Sequence, residues 1–214
     1  MRATAILPVK RFAGAKRRLA AGIEGERREA LVAAMLEDTL DAIAEARSIE
    51  RTIVVSGDPQ AQEIVAASTA EVLPDPADEG HVIAALAGIA RAEADRAECV
   101  VLLPGDCPLL DPRELDSLLT GLPARFVAVV PDRHGTGTNA LALAPPGAIR
   151  PDFGEGSCAR HAAAAGEAGV PYAIEELPSL GLDLDTPADL VALTRVLDEG
   201  GASRARRTAK ALGI

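Results

Sequence analysis

Short apolar runs alternate with amphipathic or Ala-rich stretches along the first 130 residues, and this alternation constrains the fold more than any other feature. Apolar runs bounded by polar turns are typical of buried strands, whereas apolar residues at helical spacing are typical of amphipathic helices. The predicted strands cover residues 3–9, 51–56, 70–73, 98–103 and 126–130. The predicted helices cover residues 26–46, 60–67, 81–95 and a segment beginning near Pro112. Because parallel strands need a crossover connection, usually a helix, the alternation predicts an α/β fold with a mostly parallel sheet in three layers.

The last third of the chain departs from this regular alternation. The predicted elements there are strands at residues 140–143 and 172–174 and helices at residues 158–168 and 188–198. Ser157 and Thr186 precede helical patterns and are predicted as N-caps, with Pro187 at the first position of the last helix. The basic segment 204–210 is interpreted as the solvated end of a helix. The length of the chain suits a single domain, 1–214.

Composition argues against several classes of protein. Asp and Glu outnumber Lys and Arg by 32 to 22, and few aromatic rings are present for stacking on bases, so no nucleic-acid partner is expected. No apolar run approaches the length of a membrane helix, and the N-terminus lacks a signal-peptide pattern. Cys99, Cys107 and Cys158 are too few and too scattered for a disulfide framework or a zinc site. We therefore expect a cytoplasmic protein with reduced cysteines and no membrane partner.

The turn after the first predicted strand is basic. Residues 1–23 contain six Lys or Arg side chains and no acidic one, although the formal net charge of the chain is −10. Cations gathered in a cleft attract phosphate or carboxylate groups, and open α/β sheets bind ligands where their strands end. Lys10 directly follows the strand and Lys16 lies in the same turn, so both could grip a triphosphate. The alternative is a solvated helix face, which explains Arg17 and Arg18 well.

This turn matches neither of the two common nucleotide-binding loops. Glycine does not precede Lys16, and Arg17 stands where a Walker A loop has Ser or Thr. Gly14 and Gly22 lack the spacing of a dinucleotide-binding fingerprint. Phosphate binding at this turn would therefore depend on the lysine side chains, and the turn by itself is a weak signal.

Three carboxylates stand where predicted elements end or begin. Asp106 follows a buried strand in a Pro-Gly-Asp sequence, and Asp183 and Asp185 precede the last predicted helix. Side chains two positions apart in an extended segment point the same way, so one ion could bridge Asp183 and Asp185. Mg²⁺ is usually held by one or two carboxylates and by substrate phosphates. The alternative for Asp185 is an acidic residue favoured by the dipole at a helix start.

Two loops combine glycine with hydroxyl-bearing residues. They are residues 135–139 (GTGTN) and residues 154–157 (GEGS). Glycine lets the backbone approach an anion closely, and Thr138 and Ser157 can donate their hydroxyls to it. Ordinary turn formation is the alternative for each loop.

The histidines and the cysteine beside Asp106 are not predicted to have a chemical role. His81, His134 and His161 have no metal-ligand spacing, and we interpret them as structural or surface residues. No histidine pairing is suggested for Cys107, which we interpret as a small buried hydrophobic residue and not as a nucleophile.

Five motifs occur together in an order that one enzyme family shares. They are Pro8-Val9-Lys10 with Lys16 and Leu19, residues 103–109 (LPGDCPL), residues 135–141 (GTGTNAL), residues 153–157 (FGEGS) and residues 182–187 (LDLDTP). With these motifs the chain resembles the guanylyltransferases that activate phosphoenolpyruvate or 2-phospho-L-lactate in the biosynthesis of a deazaflavin redox coenzyme. The similarity spans nearly the whole chain, and five ordered motifs are far more specific than any one of them.

The resemblance implies a fold, a reaction and a set of site residues. The fold is a Rossmann-like nucleotidyltransferase fold of the glycosyltransferase-A type, and the phosphate of a three-carbon acid attacks the α-phosphorus of GTP, which releases pyrophosphate. The implied nucleotide-binding residues are Pro8, Lys10 and Lys16. The implied acid-binding residues are Thr138, Gly154 and Ser157. The implied Mg²⁺ ligands are Asp106, Asp183 and Asp185, with Asp106 and Lys16 as the catalytic residues.

The identity of the acceptor is left open at this point. Phosphoenolpyruvate, which would give enolpyruvyl-diphospho-guanosine, is favoured because the Ala- and Arg-rich composition is typical of bacteria, and 2-phospho-L-lactate and 3-phosphoglycerate are the alternatives. Relatives suggest a homodimer. Arg17 and residues 80–83 (GHVI) depart from the family pattern and bear on the preference for guanine. Other functions compatible with the sequence are a nucleotidyltransferase for another cofactor or sugar phosphate and a non-catalytic sensor of phosphorylated acids.

Overall fold

The computed structural model describes residues 3–14, 16, 19, 23–75 and 77–214, and within these residues the chain forms seven strands and seven α-helices. The strands are β1 (Ala3–Pro8), β2 (Ile49–Ser56), β3 (Glu71–Pro74), β4 (Cys99–Leu102), β5 (Phe126–Pro131), β6 (Thr138–Ala144) and β7 (Tyr172–Ile174). The helices are α1 (Gly25–Glu45), α2 (Pro59–Ala66), α3 (His81–Ala94), α4 (Pro112–Leu119), α5 (Ser157–Glu167), α6 (Pro187–Asp198) and α7 (Arg206–Leu212). Arg17, Arg18 and Gly22, which entered the predictions for the basic turn, lie outside the described residues. Across the described ranges, no helix is both long and apolar enough to cross a membrane.

The strands form one mixed sheet in the order β3-β2-β1-β4-β6-β5-β7. All adjacent pairs are parallel except the two that involve β6, which runs antiparallel to β4 and to β5. The predicted mostly parallel sheet is therefore confirmed. The reversal occurs where the regular alternation of strand and helix ends, because β5 and β6 are joined by a short loop that does not allow a crossover.

Alternate residues of the strands face two separate apolar cores. Leu7 and Val101 pack with α1, α2, α4, α6 and α7 on one face of the sheet. Ile6 and Leu102 pack with α3 and α5 on the other face. Because both faces of the sheet are covered, the central strands β1 and β4 are buried along their whole length, as their continuous apolar runs predict.

Three helices begin with a capping residue followed by proline. Asp58 accepts the N–H of Ala61 at 2.9 Å to cap α2, and Asp111 accepts the N–H of Arg113 at 2.9 Å to cap α4. Thr186 caps α6 in a reciprocal capping box with Asp189, as its position before Pro187 predicts. Proline suits the first helical position because the N–H it lacks has no partner inside the helix.

The basic segment 204–210, interpreted from the sequence as the solvated end of a helix, contains most of a separate short helix, α7, whose first turn is bonded to α1. Asp38 on α1 is 3% exposed and accepts the N–H groups of Arg207 at 3.2 Å and Thr208 at 2.8 Å. The Arg207 side chain bonds to Asp41 at 2.5 Å. The start of α7 is therefore capped by a carboxylate from α1, a partner distant in sequence that no local pattern identifies.

Replacing Asp38 should test how strongly this distant cap holds the chain end. Asp38→Ala should lower the free energy of unfolding by about 1–3 kcal/mol, because two backbone N–H groups lose their buried acceptor. Urea denaturation followed by circular dichroism measures the change. As the control, Asp41→Ala should cost less than about 1 kcal/mol, because the Asp41 carboxylate is 61% exposed. Equal losses in the two variants would contradict the capping role.

Candidate active site

The carboxyl ends of β1 and β4 lie side by side at one edge of the sheet. The two strands are parallel neighbours with Ile6 opposite Leu102, and the N–H of Leu103 donates to the carbonyl oxygen of Ile6 at 3.0 Å. The loop that carries Lys10 and the loop that carries Asp106 therefore leave the sheet together. Open α/β sheets bind their ligands at this edge.

Phe12 anchors the turn after β1, and Lys10 of the same turn is exposed to solvent. Phe12 is 2% exposed, and its N–H donates to Asp58 Oδ2 at 2.9 Å. Since Asp58 Oδ1 caps α2, one buried carboxylate fixes both the turn and the neighbouring helix. Lys10 lies on the exposed side of this anchored turn, where its ammonium group can contact a ligand.

Lys16 joins the basic turn to both acidic segments. Its Nζ donates to the carboxylate of Asp106 and to Asp185 Oδ1, the latter at 2.5 Å. The Lys16 side chain is only 10% exposed. Burial by itself lowers the pKa of Lys16, but the charges and hydrogen bonds of the two carboxylates outweigh burial and raise this pKa above its ordinary value. Lys16 therefore stays an ammonium ion at the centre of the site.

Asp183 lies beside this cluster and is held by Asn139. Asn139 Nδ2 donates to Asp183 Oδ1 at 3.3 Å and to the carbonyl oxygen of Leu180 at 2.6 Å. Burial, followed by the negative charge of Asp106, raises the pKa of Asp183 to about 6. Three carboxylates and the Lys16 ammonium group thus share one edge of the sheet, where negative charge is in excess.

The chemistry of these donors fits a hard divalent cation such as Mg²⁺. In the part of the chain that the structure describes, no group of three His, Cys, Asp or Glu side chains is arranged to hold a metal ion. A closed protein cage is not required for Mg²⁺, which is usually bound by one or two carboxylates together with substrate phosphates. A divalent cation would also offset the repulsion that acts on Asp183. The assignment of Asp106, Asp183 and Asp185 as metal ligands stays a prediction.

The two Gly-hydroxyl loops meet at Thr138. Ser157 Oγ donates to Thr138 Oγ1 at 3.1 Å, and Thr138 Oγ1 lies 3.0 Å from His161 Nδ1. The N–H of Ser157 donates to the carbonyl oxygen of Gly154 at 3.0 Å. Gly154 has φ +123°, a conformation that residues with side chains rarely adopt. The structure therefore brings together Thr138, Gly154 and Ser157, and their acid-binding role stays a prediction.

The predicted N-cap role of Ser157 is wrong. Gly156, with φ +72°, is the N-cap of α5, and Ser157 is the first helical residue. Glycine adopts this left-handed conformation without the steric cost of a Cβ atom. The Ser157 side chain contacts Thr138 instead and is 0% exposed. Of the two hydroxyls, the partly exposed Thr138 is therefore the one that can reach a ligand.

An aromatic row, which no motif in the sequence indicates, connects the basic turn to the two Gly-hydroxyl loops. Phe153 packs edge to face on His81, with 4.8 Å between ring centroids, and on His161, with 5.2 Å. Burial, followed by the charge of Lys10, lowers the pKa of His81 to about 4, although Asp106 acts in the opposite direction. His161 is buried and His81 is half-buried, as a structural role predicts, but both lie at the site. The spacing of these residues in the sequence carries no signal of this arrangement.

His134 and Cys107 agree with their sequence-based interpretation. His134 is exposed, and its Nε2 lies 3.2 Å from Arg133 Nε. Cys107 is 0% exposed, and burial, followed by the charge of Asp106, raises the pKa of its thiol well above the ordinary value. The thiol therefore stays protonated and packs as a small apolar group.

The chain resembles curated guanylyltransferases over most of its length and of theirs. The chain is 47% identical over 207 residues to the phosphoenolpyruvate guanylyltransferase of Conexibacter woesei. This alignment covers 94% of this chain and 92% of that protein. It is 40% identical over 197 residues to the 3-phospho-D-glycerate guanylyltransferase of Phenylobacterium zucineum, and this alignment covers 90% of each protein.

Solved structures and a family model agree with these relatives. A nucleotidyl transferase from Methanothermobacter superimposes with a TM-score of 0.70 at 17% identity, covering 92% of this chain and 98% of that one. A likeness at such low identity shows the fold, and the predicted nucleotidyltransferase fold is confirmed. The family model described as guanylyl transferase CofC like matches residues 3–214. The chain belongs to this guanylyl transferase family of enzymes.

Proposed function

We propose that the protein transfers GMP from GTP to the phosphate of phosphoenolpyruvate with the help of Mg²⁺, giving enolpyruvyl-diphospho-guanosine and pyrophosphate. The observation that carries the proposal is the Lys16 cluster, in which one ammonium group bonds to Asp106 and Asp185 beside the basic turn. Such an edge combines cations suited to a triphosphate with carboxylates suited to a divalent metal. The relative from Conexibacter woesei, named for this reaction, supports the same proposal.

In the proposed reaction, an oxygen of the acid's phosphate forms a bond to the α-phosphorus of GTP. The bond from that phosphorus to the oxygen that bridges the β-phosphate breaks, and pyrophosphate leaves with the electron pair. The second pKa of a phosphate monoester is about 6, so the attacking oxygen is largely ionised at neutral pH and needs no general base. The protein therefore contributes positioning and charge neutralisation more than proton transfer.

The nucleotide is assigned to the basic side of the site. Lys10 and Lys16 would neutralise the triphosphate, and Pro8 ends β1 where the turn begins. Asp106, Asp183 and Asp185 would hold Mg²⁺, which when bound would offset the negative charge on the transferred and departing phosphates. Lys16 is kept charged by Asp106 and Asp185, so it can act on a phosphate without first gaining a proton.

The phosphorylated acid is assigned to the loops around Thr138. The Thr138 hydroxyl would donate to the anion, and the buried Ser157 hydroxyl donates to Thr138 Oγ1. Gly154 lacks a Cβ atom, so the backbone there can approach a ligand closely. In this arrangement, a neutral donor would bind the acid and the charged groups would bind the nucleotide.

Phosphoenolpyruvate is the proposed acceptor because the relative named for it shares 47% identity, against 40% for the relative named for 3-phospho-D-glycerate. Those two acids and 2-phospho-L-lactate share a phosphate and a carboxylate and differ at the carbons between them. The guanine preference, a homodimer and a cytoplasmic location stay predictions from the sequence.

A substrate panel tests the proposed reaction directly. Purified protein incubated with GTP and Mg²⁺ should release pyrophosphate fastest with phosphoenolpyruvate, compared with 2-phospho-L-lactate and 3-phosphoglycerate. A coupled pyrophosphate assay gives the rates, mass spectrometry identifies the product, and reactions without acid are the control. Replacing GTP by ATP, CTP or UTP measures the preference for guanine. If no acid supports release, the proposed function is wrong, and faster release with another acid would change the acceptor.

Asp183→Asn should lower activity without lowering stability. We expect kcat/KM to fall about 100-fold or more, because a metal ligand that stabilises transition-state charge is lost. The Mg²⁺ concentration needed for half-maximal rate should rise. Stability should not fall at pH 7, since the change removes one of three crowded negative charges. Asp41→Asn, at an exposed carboxylate on α1, is the matched control and should retain full activity. Near-normal activity and Mg²⁺ dependence in Asp183→Asn would exclude Asp183 as a ligand.

Lys10→Met should weaken nucleotide binding without unfolding the turn. Lys10 is exposed, whereas Phe12 and Asp58 hold the turn in place, so the substitution should weaken ligand binding and leave the turn folded. We expect KM for GTP to rise about tenfold, as for one lost charge-assisted contact, with KM for the acid nearly unchanged. Lys210→Met, at an exposed lysine on α7, removes the same charge elsewhere and should have no effect. Equal effects of the two variants would mean that Lys10 acts only through net charge.

A further inference from the structure

The imidazole ring of His161 is hydrogen-bonded at both nitrogens. The backbone N–H of Asp152 donates to His161 Nε2 at 2.9 Å, and His161 Nδ1 lies 3.0 Å from Thr138 Oγ1. The residue is 0% exposed, and its ring packs edge to face on Phe153. A ring nitrogen that accepts from an N–H carries no proton of its own. The neutral ring therefore carries its proton on Nδ1, directed at Thr138.

His161 is neutral in the folded protein at pH 7. Burial lowers the pKa of His161 to about 4, while the nearby charges of Asp152 and Arg160 act in opposite directions. Arg160 bonds to Asp152 at 2.6 Å, so these two exposed charges largely offset each other. The neutral ring has one donor and one acceptor, and both are used.

The position of this proton determines what the Thr138 hydroxyl can do. A hydroxyl has one hydrogen to donate and two lone pairs that accept. His161 Nδ1 donates to Thr138 Oγ1, and Ser157 Oγ donates to the same oxygen at 3.1 Å. Among the residues that the structure describes, these are the partners of that hydroxyl. Its own hydrogen remains to be donated, and Thr138 is partly exposed on the side where a ligand can approach.

We infer that His161 is a positioning residue that, together with Ser157, restricts the Thr138 hydroxyl to donating a hydrogen bond to the phosphorylated acid. Ionised carboxylate and phosphate groups present acceptors, so a hydroxyl that can only donate selects for them. A freely rotating hydroxyl would also accept from neutral ligands and from water. This inference rests on the proposed function, because it assigns a role within the acid-binding side of that reaction.

Two amide substitutions separate the roles of the two ring nitrogens. The Asn side chain ends near the position of Nδ1, so His161→Asn can keep a donor to Thr138 while losing the acceptor for the Asp152 N–H. The longer Gln side chain reaches the position of Nε2, so His161→Gln can keep that acceptor while losing the donor to Thr138. The two variants therefore differ in the one contact that the inference concerns.

Steady-state kinetics with phosphoenolpyruvate and GTP give the expected pattern. His161→Gln should raise KM for the acid about tenfold, with KM for GTP unchanged, whereas His161→Asn should stay within about threefold of the parent for both substrates. Thr138→Val should raise KM for the acid at least as much as His161→Gln. Since His161 acts through Thr138, the double variant Thr138→Val/His161→Gln should be no worse than Thr138→Val alone. Equal losses in His161→Asn and His161→Gln, a matching rise in KM for GTP, or multiplicative losses in the double variant would overturn the inference.

Nitrogen-15 NMR of the histidine side chains tests the inference without turnover. The chain has three histidines, and the His161→Asn spectrum identifies the signals of His161 by their absence. The parent protein should show a protonated Nδ1 and an unprotonated Nε2 for His161 at pH 7. A protonated Nε2 or a doubly protonated ring would overturn the inference. If no acid is turned over while the tautomer is as expected, the proposed function is wrong and the hydrogen-bond arrangement at Thr138 still stands.

Discussion

The ammonium group of Lys16, shared between Asp106 and Asp185, is the interaction on which the site depends. The two carboxylates lie 90 and 169 positions from Lys16 in the sequence, so the contact joins three distant segments at one point. A charge as little exposed as that of Lys16 is costly unless it is paired, and the two carboxylates supply that pairing. The Asp106 side chain is 20% exposed and that of Asp185 is 55% exposed, so the contact stabilises the lysine more than it stabilises the carboxylates.

The surrounding fold holds each of these charges in position. Parallel pairing of β1 with β4 places the basic turn beside Asp106. Asp189, which is 5% exposed, accepts the N–H groups of Asp185 at 3.1 Å and Thr186 at 2.6 Å, so the capping box of α6 also fixes the segment that carries Asp185. Arg133 in turn bonds to Asp189 at 2.5 Å. The contacts that cap α6 therefore also position Asp185.

The two sides of the site differ in the interactions that they offer. The side proposed for the nucleotide carries full charges at Lys10, Lys16 and the three aspartates, whose interactions are strong and long in range. The side proposed for the acid carries neutral groups with fixed hydrogen-bond directions at Thr138, Ser157 and His161. The row of His81, Phe153 and His161 joins the two sides through packed rings, with neutral imidazoles at both ends.

The sequence by itself determined the strands, the helices up to α6, the mostly parallel sheet, the Thr186 cap and the positions of Asp106 and Thr138 at the ends of elements. These features depend on periodicity and on residues a few positions apart, which a single chain displays directly. Only the tertiary structure decided that Lys16 bonds to two carboxylates, that Ser157 lies buried under Thr138 and not at a cap, that His161 directs a proton at Thr138, and that Asp38 caps α7. Each of these contacts joins residues from different elements, and because the fold decides which distant residues come within bonding distance, no local pattern in the chain specifies which partner a side chain meets.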